Sequence, residues 1–294
     1  MGSEKAGREM TVLEKTFQRL QSLYERERIE PGKLDTIGLK PGWTVVVGRN
    51  GLCGTSFRFS GPHKAYEGNE ADPETMRRFV GKSLMEAVAE NMRSPLIPMK
   101  SLAVAALSAL SQPFLTPEAL AKRSIRIWDG PDYLEAIVRP EDVVALVGYG
   151  GMVQNLLGRC KELHVADMRP AQALLTTIIG RTVRLEPSPV KLHGPEDDEA
   201  LLEASDVAII TASSLVNGTI DDLLRYAARA RSVGLYGPSA SIIPDVLLEE
   251  GADFILSHRV QDPKRFVESL KNDMDMESGL RKYQSYQTIL PASV

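Results

Sequence analysis

Residues 141–151 read EDVVALVGYGG, and this stretch decides the fold. An uninterrupted aliphatic run ends at Val147 and passes directly into glycine, and five further short apolar runs follow, most of them separated by helical segments. Strands without strict alternation, connected by helices, are typical of a parallel sheet covered on both faces. We therefore predict an α/β fold with a doubly wound parallel sheet over residues 141–294. The six predicted strands are Asp142–Val147, Leu163–Ala166, Thr182–Leu185, Asp206–Thr211, Ser232–Tyr236 and Asp253–Leu256.

The residues before this sheet follow another pattern. Apolar side chains at three- and four-residue spacing predict a helix from about Thr11 to Glu27. Period-two alternation on both sides of the corner RNGLCG (49–54) predicts a β-hairpin, and a capping box beginning at Ser83 predicts a further helix. We predict a smaller α+β domain over residues 1–115 and a linker region over residues 116–140.

Composition excludes several classes of protein. The 294 residues are 43% hydrophobic and 25% charged, which is typical of a folded globular chain. The net charge of -4, without a long basic run, disfavours nucleic acid as a partner. The longest apolar stretch, Ser101–Leu110, is far shorter than the roughly 20 residues that cross a bilayer, and the polar start MGSEKAGREM shows no signal peptide. We expect a cytoplasmic protein without membrane partners, and the oligomeric state stays open, a homo-oligomer among the alternatives.

The residues that follow the predicted strands are the candidates for ligand binding, because open parallel sheets bind ligands outside the carboxyl ends of their strands. These residues are small, hydroxylated or polar, and amide groups at the following helix starts can hold an anion. The same residue types also suit strand-to-helix turns for conformational reasons alone. We expect Thr219 to cap the helix that begins at Ile220. The candidates are Gly148, Gly150, Gly151, Ser213, Ser214, Asn217, Gly218, Thr219, Gly237, Pro238 and Ser239.

The run GYGGMV resembles part of a dinucleotide-binding fingerprint. Asp167 lies 19 residues after Gly148, at the end of the second strand, where an acid that binds ribose would sit. Val153 occupies the place of the third glycine, so the match is incomplete. Asp167 is equally well explained as a cap or a solvated carboxylate.

The hairpin corner supplies a second set of candidates. We expect Arg49, Asn50 and Cys53 to face the sheet edge across a cleft, since both halves of the chain carry polar loops. The two cysteines, Cys53 and Cys160, are 107 positions apart, which favours free thiols.

Candidate metal ligands are few, because no H-x-x-x-H or C-x-x-C spacing occurs. Cys53 and His258 could share an ion only if the hairpin leans over the sheet edge. We interpret His164 as a histidine packed on the sheet, and His193 as a solvated residue of a loop. The polar stretch Asn272–Tyr286 is expected to be loosely attached.

Three stretches together resemble a prokaryotic family labelled "putative heavy-metal chelation". They are SLMEAVAENMRSPLIPMKSLAVAALSAL (83–110), DVAIITASSLVNGTIDDLL (206–224) and GLYGPSASIIPDVLLEEGADFILSHRVQD (234–262). The resemblance covers roughly Thr11 to Asp262. It implies a Rossmann-like carboxy-terminal domain, a preceding domain similar to the enolase amino-terminal fold, a cleft between them and a role in metal chelation. It supplies no catalytic residue.

The sequence thus favours a protein that binds a small anionic or metal-chelating ligand in the cleft between its domains. A divalent metal ion is the candidate cofactor, and whether the protein is an enzyme stays open. One alternative is an enzyme that uses a nucleotide cofactor of the NAD or S-adenosylmethionine type through Asp167. The other is a non-catalytic interaction module.

Overall fold

A computed structural model of the chain describes residues 9–70, 72–174, 178–179, 182–183, 190–274, 276 and 279–292. Within these ranges no helix is both long enough and apolar enough to span a bilayer. The structure is a mixed α/β fold with an eight-stranded sheet, an antiparallel three-stranded sheet and a small two-stranded sheet, which confirms the predicted fold class.

The first half of the chain builds the smaller sheet and the helices packed on it. Thr11 and Glu14 form a capping box at the start of α1, and the predicted hairpin is present as β2 and β3. A third strand, β1, was not predicted; it pairs antiparallel with β2. The elements are α1 (Val12–Glu27), β1 (Leu34–Lys40), β2 (Trp43–Gly48), β3 (Cys53–Phe57), α2 (Pro73–Arg77), α3 (Leu84–Asn91), α4 (Ile97–Ser111) and α5 (Pro117–Ala121).

The second half forms the large sheet, in the order β4-β13-β12-β11-β10-β5-β6-β9. The six strands from β12 to β9 in this order are parallel, whereas β13 and β4 run antiparallel at one end. The elements are β4 (Ile125–Ile127), α6 (Tyr133–Ile137), β5 (Val143–Val147), α7 (Met152–Leu156), β6 (Glu162–Ala166), α8 (Ala171–Leu174), β7 (Ile178–Ile179), β8 (Thr182–Val183), β9 (Val190–His193), α9 (Asp198–Glu203), β10 (Val207–Thr211), α10 (Ser214–Asn217), α11 (Ile220–Tyr226), β11 (Ser232–Tyr236), α12 (Asp245–Glu249), β12 (Phe254–Val260), α13 (Pro263–Lys271) and β13 (Gln284–Pro291).

Two predictions about this sheet are wrong. The predicted strand Thr182–Leu185 does not join it: residues 182–183 pair with β7 in a separate two-stranded sheet, and residues 184–185 lie outside the described residues. The edge position belongs to β9, whose VKLH sequence alternates as a half-buried strand does. The stretch Asn272–Tyr286, which was predicted to be loose, is held at its end: residues 284–286 pair with His258–Val260 of β12, and Leu280 is buried, whereas residues 275, 277 and 278 lie outside the described residues.

One hydrophobic cluster runs from α1 and α4 to one face of the large sheet. The hairpin packs directly on α4 at Gly54, where an added Cβ would lie 2.1 Å from the carbonyl oxygen of Ala105. The Ser239 hydroxyl then accepts a hydrogen bond of 2.9 Å from the backbone N–H of Phe57. These contacts fix the hairpin against the carboxyl ends of the parallel strands. The division into domains at residues 115 and 140 stays a prediction.

Candidate functional site

A cavity of about 1000 Å³ lies between the hairpin and the carboxyl edge of the large sheet. Both tryptophans of the chain, five of its eight tyrosines and two of its seven phenylalanines line it. The walls can therefore stack against a planar ligand. The aromatic lining consists of Trp43, Phe57, Phe59, Tyr66, Trp128, Tyr133, Tyr149, Tyr236 and Tyr286.

The cavity is long in the direction across the strands. His258 on β12 and Asp198, the first residue of α9 after β9, both line it. Five strand spacings separate β12 from β9, which at about 4.8 Å each amount to about 24 Å. The two side chains thus lie toward opposite ends of an elongated site, which Tyr286 of β13 and Ile127 of β4 extend beyond His258.

Most candidates from the strand ends line this cavity, as the sequence predicts; Gly218 does not. Those that do are Gly148, Gly150, Gly151, Asp167, Ser213, Ser214, Asn217, Thr219, Gly237, Pro238, Ser239 and His258.

The hairpin corner lies elsewhere, so the expectation that Arg49, Asn50 and Cys53 face the sheet edge is wrong. In an antiparallel hairpin the turn and the open ends lie far apart, and here the open ends, Trp43 and Phe57, line the cavity. The Asn50 amide donates to the carbonyl of Pro31 instead, at 3.5 Å.

Cys53 is buried in an apolar cluster outside the cavity and does not meet His258. Burial raises the pKa of its thiol to about 12. The protonated form is a poor metal ligand, so the proposed Cys53–His258 pair is not formed.

The loop after β5 is shaped by Gly148, which has φ +96°. An added Cβ there would lie 2.9 Å from Cβ of Thr211 and 3.0 Å from the Tyr236 hydroxyl oxygen, so no side chain fits. Tyr236 donates a hydrogen bond of 2.7 Å to the Gly148 carbonyl, and burial raises the pKa of its phenol. Two residues after Gly148, Gly150 has open space where a Cβ would be. The loop therefore presents bare backbone to the cavity.

Asp167 holds this loop in place. One of its oxygens accepts from the Tyr149 N–H at 2.7 Å and from Arg169 Nη2 at 2.8 Å. The other accepts from the Arg169 backbone N–H at 2.8 Å and from Arg169 Nε at 2.9 Å. Arg169 also donates to the Tyr149 carbonyl at 2.6 Å. Both carboxylate oxygens already accept two hydrogen bonds each, which fills the acceptor sites that a ribose would need.

The polar groups after β10 mainly stabilise their own turn. Ser214 donates to the Thr211 carbonyl at 2.6 Å, and the Ser213 and Thr211 hydroxyl oxygens are 3.1 Å apart. The prediction that Thr219 caps α11 is wrong, because its side chain makes no capping bond. Its hydroxyl and its N–H both donate to Oδ1 of Asn217, at 2.9 and 3.2 Å.

The helices that follow β5 and β10 are short, so they lend little support to the expectation that helix starts hold an anion. α7 has five residues and α10 has four. So few aligned peptide units give little of the macrodipole that favours an anion at a helix start.

The end of the cavity at β12 differs, because it carries a polar atom without a partner. Nδ1 of His258 is buried and makes no hydrogen bond. Burial, with the nearby charge of Arg281, lowers the pKa of His258 to about 4, so the ring is neutral at pH 7. Arg281 lies over the Trp43 ring, 5.6 Å from its centroid, and Tyr286 meets the His258 ring edge-on. A cation and a neutral imidazole thus sit side by side between aromatic rings.

The opposite end is acidic. Oδ1 of Asp198 is buried without a hydrogen-bond partner. Burial, reinforced by Glu196 and Asp197, raises the pKa of this carboxyl to about 6. It can donate or accept a proton near neutral pH.

Comparison with known proteins now places the chain in a family. A family model described as "Putative heavy-metal chelation" (DUF364) matches residues 132–287, more than half of the chain. The chain belongs to the DUF364 family. A second model with the same description (DUF4213) matches residues 24–111. The resemblance seen in the sequence is confirmed.

Two solved DUF364 structures share this fold, both from proteins of unknown function. The one from Pyrococcus horikoshii has a TM-score of 0.65 at 20% identity, over 95% of this chain and 99% of that chain. The one from Desulfitobacterium hafniense has the same TM-score and identity, over 93% and 99%. An uncharacterised protein of Methanocaldococcus jannaschii is 24% identical over 192 residues, 63% of this chain and 64% of its own length. The chain therefore spans less than two thirds of that relative.

Sequence reasoning missed one pair of residues in this DUF364 chain. His164 and His193 were interpreted separately, but they lie on neighbouring strands with Nδ1 and Nε2 3.1 Å apart. The interpretation of His193 as a loop residue is wrong, because it ends β9. The alternation in VKLH was the available signal. Among the described residues, no group of three or more His, Cys, Asp or Glu side chains could hold a metal ion.

Proposed function

We propose that this protein binds a small planar organic acid that chelates divalent metal ions, and that the ligand lies in the aromatic cavity. The observation that carries the proposal is the cavity end at β12. There the unpartnered Nδ1 of His258 and the guanidinium of Arg281 lie among aromatic rings. A carboxylate placed there gains a positive charge and a hydrogen-bonding ring at once.

The aromatic walls support the planar part of the ligand. Trp43, Phe57 and Phe59 form a chain of edge-to-face contacts, with neighbouring ring centroids 5.4 and 5.0 Å apart. Because the rings hold one another, they are preorganised, and little conformational entropy is lost when a ligand stacks on them.

The metal is proposed to arrive with the ligand. In the described part of the chain the cavity has no cluster of three metal-binding side chains, whereas the family description speaks of heavy-metal chelation. A chelating acid would supply the ligands that the protein lacks, and the cavity would recognise the organic frame. The protein would then bind or carry a metal chelate.

The nucleotide alternative has less support. Asp167 has no acceptor site left for ribose hydroxyls, since Arg169 and the Tyr149 N–H occupy both of its oxygens. Val153 also stands where the fingerprint needs its third glycine.

The test uses tryptophan fluorescence, because Trp43 and Trp128 both line the cavity and are the only tryptophans. The probe is pyridine-2,6-dicarboxylate, titrated alone and as its Ni²⁺ complex. We expect saturable quenching by at least one of the two forms. The variants His258→Leu and Arg281→Gln should each weaken that binding at least about tenfold, which corresponds to the loss of one charged or buried hydrogen bond.

The matched control is Arg229→Gln, which removes an exposed arginine outside the cavity and should leave the affinity unchanged. The proposal fails if neither form of the probe binds the unmodified protein. It also fails if both cavity variants bind as tightly as the unmodified protein does.

A further inference from the structure

The His164–His193 pair forms an ordered chain of polar groups on the edge of the large sheet. Between the two rings, His164 Nδ1 lies 3.1 Å from His193 Nε2. On the outer sides, His164 Nε2 lies 3.2 Å from Oε2 of Glu162, and His193 Nδ1 lies 3.4 Å from Oδ2 of Asp197. Each ring thus has a carboxylate on one nitrogen and the other ring on its second nitrogen.

The two neutral rings have too few protons for their three contacts. A neutral imidazole carries one N–H, so the two rings bring two protons to three contacts. The carboxylates of Glu162 and Asp197 favour N–H on the outer nitrogens. The two inner nitrogens then face each other with their lone pairs, which is unfavourable unless a positive species lies between them.

We propose that this pair is a binding site for a divalent transition-metal ion of the Zn²⁺, Ni²⁺ or Cu²⁺ class. The separation of 3.1 Å between the inner nitrogens is close to the about 3.3 Å expected for two imidazole nitrogens on one tetrahedral Zn²⁺. Histidines that bind metals almost always donate their other N–H to a carboxylate or carbonyl. The outer nitrogen of His164 is hydrogen-bonded to Glu162 in this way, and that of His193 lies 3.4 Å from Asp197. Imidazole is the nitrogen ligand that this class of metals prefers.

Charged groups of both signs surround the pair. Glu162 and Asp197 carry two negative charges, while Lys191, which pairs with Glu162 at 2.5 Å, and the nearby Lys161 carry two positive charges. With two protein ligands, water fills the remaining coordination positions, so the ion is exchangeable rather than permanently held.

This site is independent of the proposed function, because neither histidine lines the aromatic cavity. The two sites are nevertheless neighbours: Pro195, two residues after His193, lines the acidic end of the cavity. A failure of one proposal therefore leaves the other testable.

The test is a titration of untagged protein with Cu²⁺, followed by electron paramagnetic resonance. The background is Cys160→Ser, which removes the more accessible of the two thiols. We expect one saturable, exchangeable equivalent with nitrogen couplings from two imidazoles. His164→Gln and His193→Gln should each weaken binding at least about tenfold and remove one imidazole signal, and Glu162→Gln should weaken it by a smaller factor.

The control is His63→Gln, which changes a histidine of the other half of the chain and should bind Cu²⁺ as the parent does. If His164→Gln does not fold, His193→Gln provides the test alone, because His193 lies on an edge strand where a substitution disturbs the sheet less. The proposal is overturned if His193→Gln binds Cu²⁺ with unchanged affinity and couplings. The proposal is also overturned if no equivalent of Cu²⁺ binds, since the two histidines would then share only a proton.

Discussion

Two polar clusters lie on the same edge of the sheet and differ in one respect. The Asp167–Arg169 pair is saturated, since both carboxylate oxygens accept two hydrogen bonds from within the protein. The His258–Arg281 cluster contains a buried ring nitrogen that accepts and donates nothing. The saturated cluster fits a role in holding the loop, and the unsaturated one fits a role in holding a ligand. Hydrogen-bonding capacity left unused separates the two better than the motif in which a residue occurs.

The strongest test of this contrast is Asp167→Ala. The Asp167 and Arg169 side chains are only 6% and 12% exposed, so the variant leaves a mostly buried guanidinium without its carboxylate. Loss of one member of a buried ion pair costs about 3 to 5 kcal/mol. Urea unfolding should show that loss, while Asp222→Ala, which breaks an exposed pair with Arg225, should change the free energy of unfolding by less than about 1 kcal/mol. Equal stability of the two variants would refute the structural role of Asp167.

The loop that Asp167 holds gives the second test. Gly148→Ala places a Cβ 2.9 Å from Thr211 at φ +96° and should cost about 2 to 3 kcal/mol through strain and overpacking. Gly150→Ala is the control, because the space around its Cβ is open. Thermal melts of the two variants should differ clearly. Similar melting temperatures would mean that the loop does not need the shape described for it.

Much of the fold could be predicted from local patterns. Buried parallel strands are uninterrupted apolar runs, so β5, β10 and β11 were placed within a residue or two. Strands at or next to the borders of the sheet were harder, since β9 and β13 are partly exposed and carry polar residues. The pairing of such strands depends on contacts between distant parts of the chain. A local sequence pattern carries no information about those contacts.

The candidate site divides in the same way. The strand-end loops could be predicted, because parallel strands place their carboxyl ends along one edge. The position of the hairpin could not, because it depends on packing between Gly54 and α4 and on the bond from the Phe57 N–H to Ser239. The sequence also could not predict which polar groups use all of their hydrogen-bonding capacity. Both oxygens of Asp167 do and Nδ1 of His258 does not, and this depends on neighbours in three dimensions rather than on sequence position.

The third test uses pH at the unsaturated cluster. The pKa of His258 is lowered to about 4 in the folded protein, so the unfolded chain binds a proton there at a higher pH than the folded chain does. The neutral, buried His258 ring therefore adds to the free energy of unfolding. That contribution is fully present above about pH 6.5 and is lost as the pH falls toward about 4. His258→Leu should remove about 2 kcal/mol of this pH dependence, measured by urea unfolding at pH 7 and pH 4.5. Parallel pH profiles for the variant and the parent would contradict the buried, neutral ring.

The smallest effect is expected at Thr219. Because its hydroxyl does not cap α11 and only donates to Asn217, Thr219→Ala should cost less than about 0.5 kcal/mol. A true capping threonine would cost about 1 kcal/mol. Asn217→Ala removes the acceptor of two hydrogen bonds and should cost more than Thr219→Ala. The reverse order in chemical denaturation would restore the capping role.

The most direct test of the central claim follows the ring nitrogens of all four histidines by ¹⁵N NMR while metal-free pyridine-2,6-dicarboxylate is added. His258 lies in the cavity, His164 and His193 form the edge pair, and His63 packs edge-on against Tyr66, which lines the cavity. The account predicts that the His258 signals shift with saturation and shift further than the signals of the other three histidines. Saturable binding that leaves His258 unshifted would contradict it.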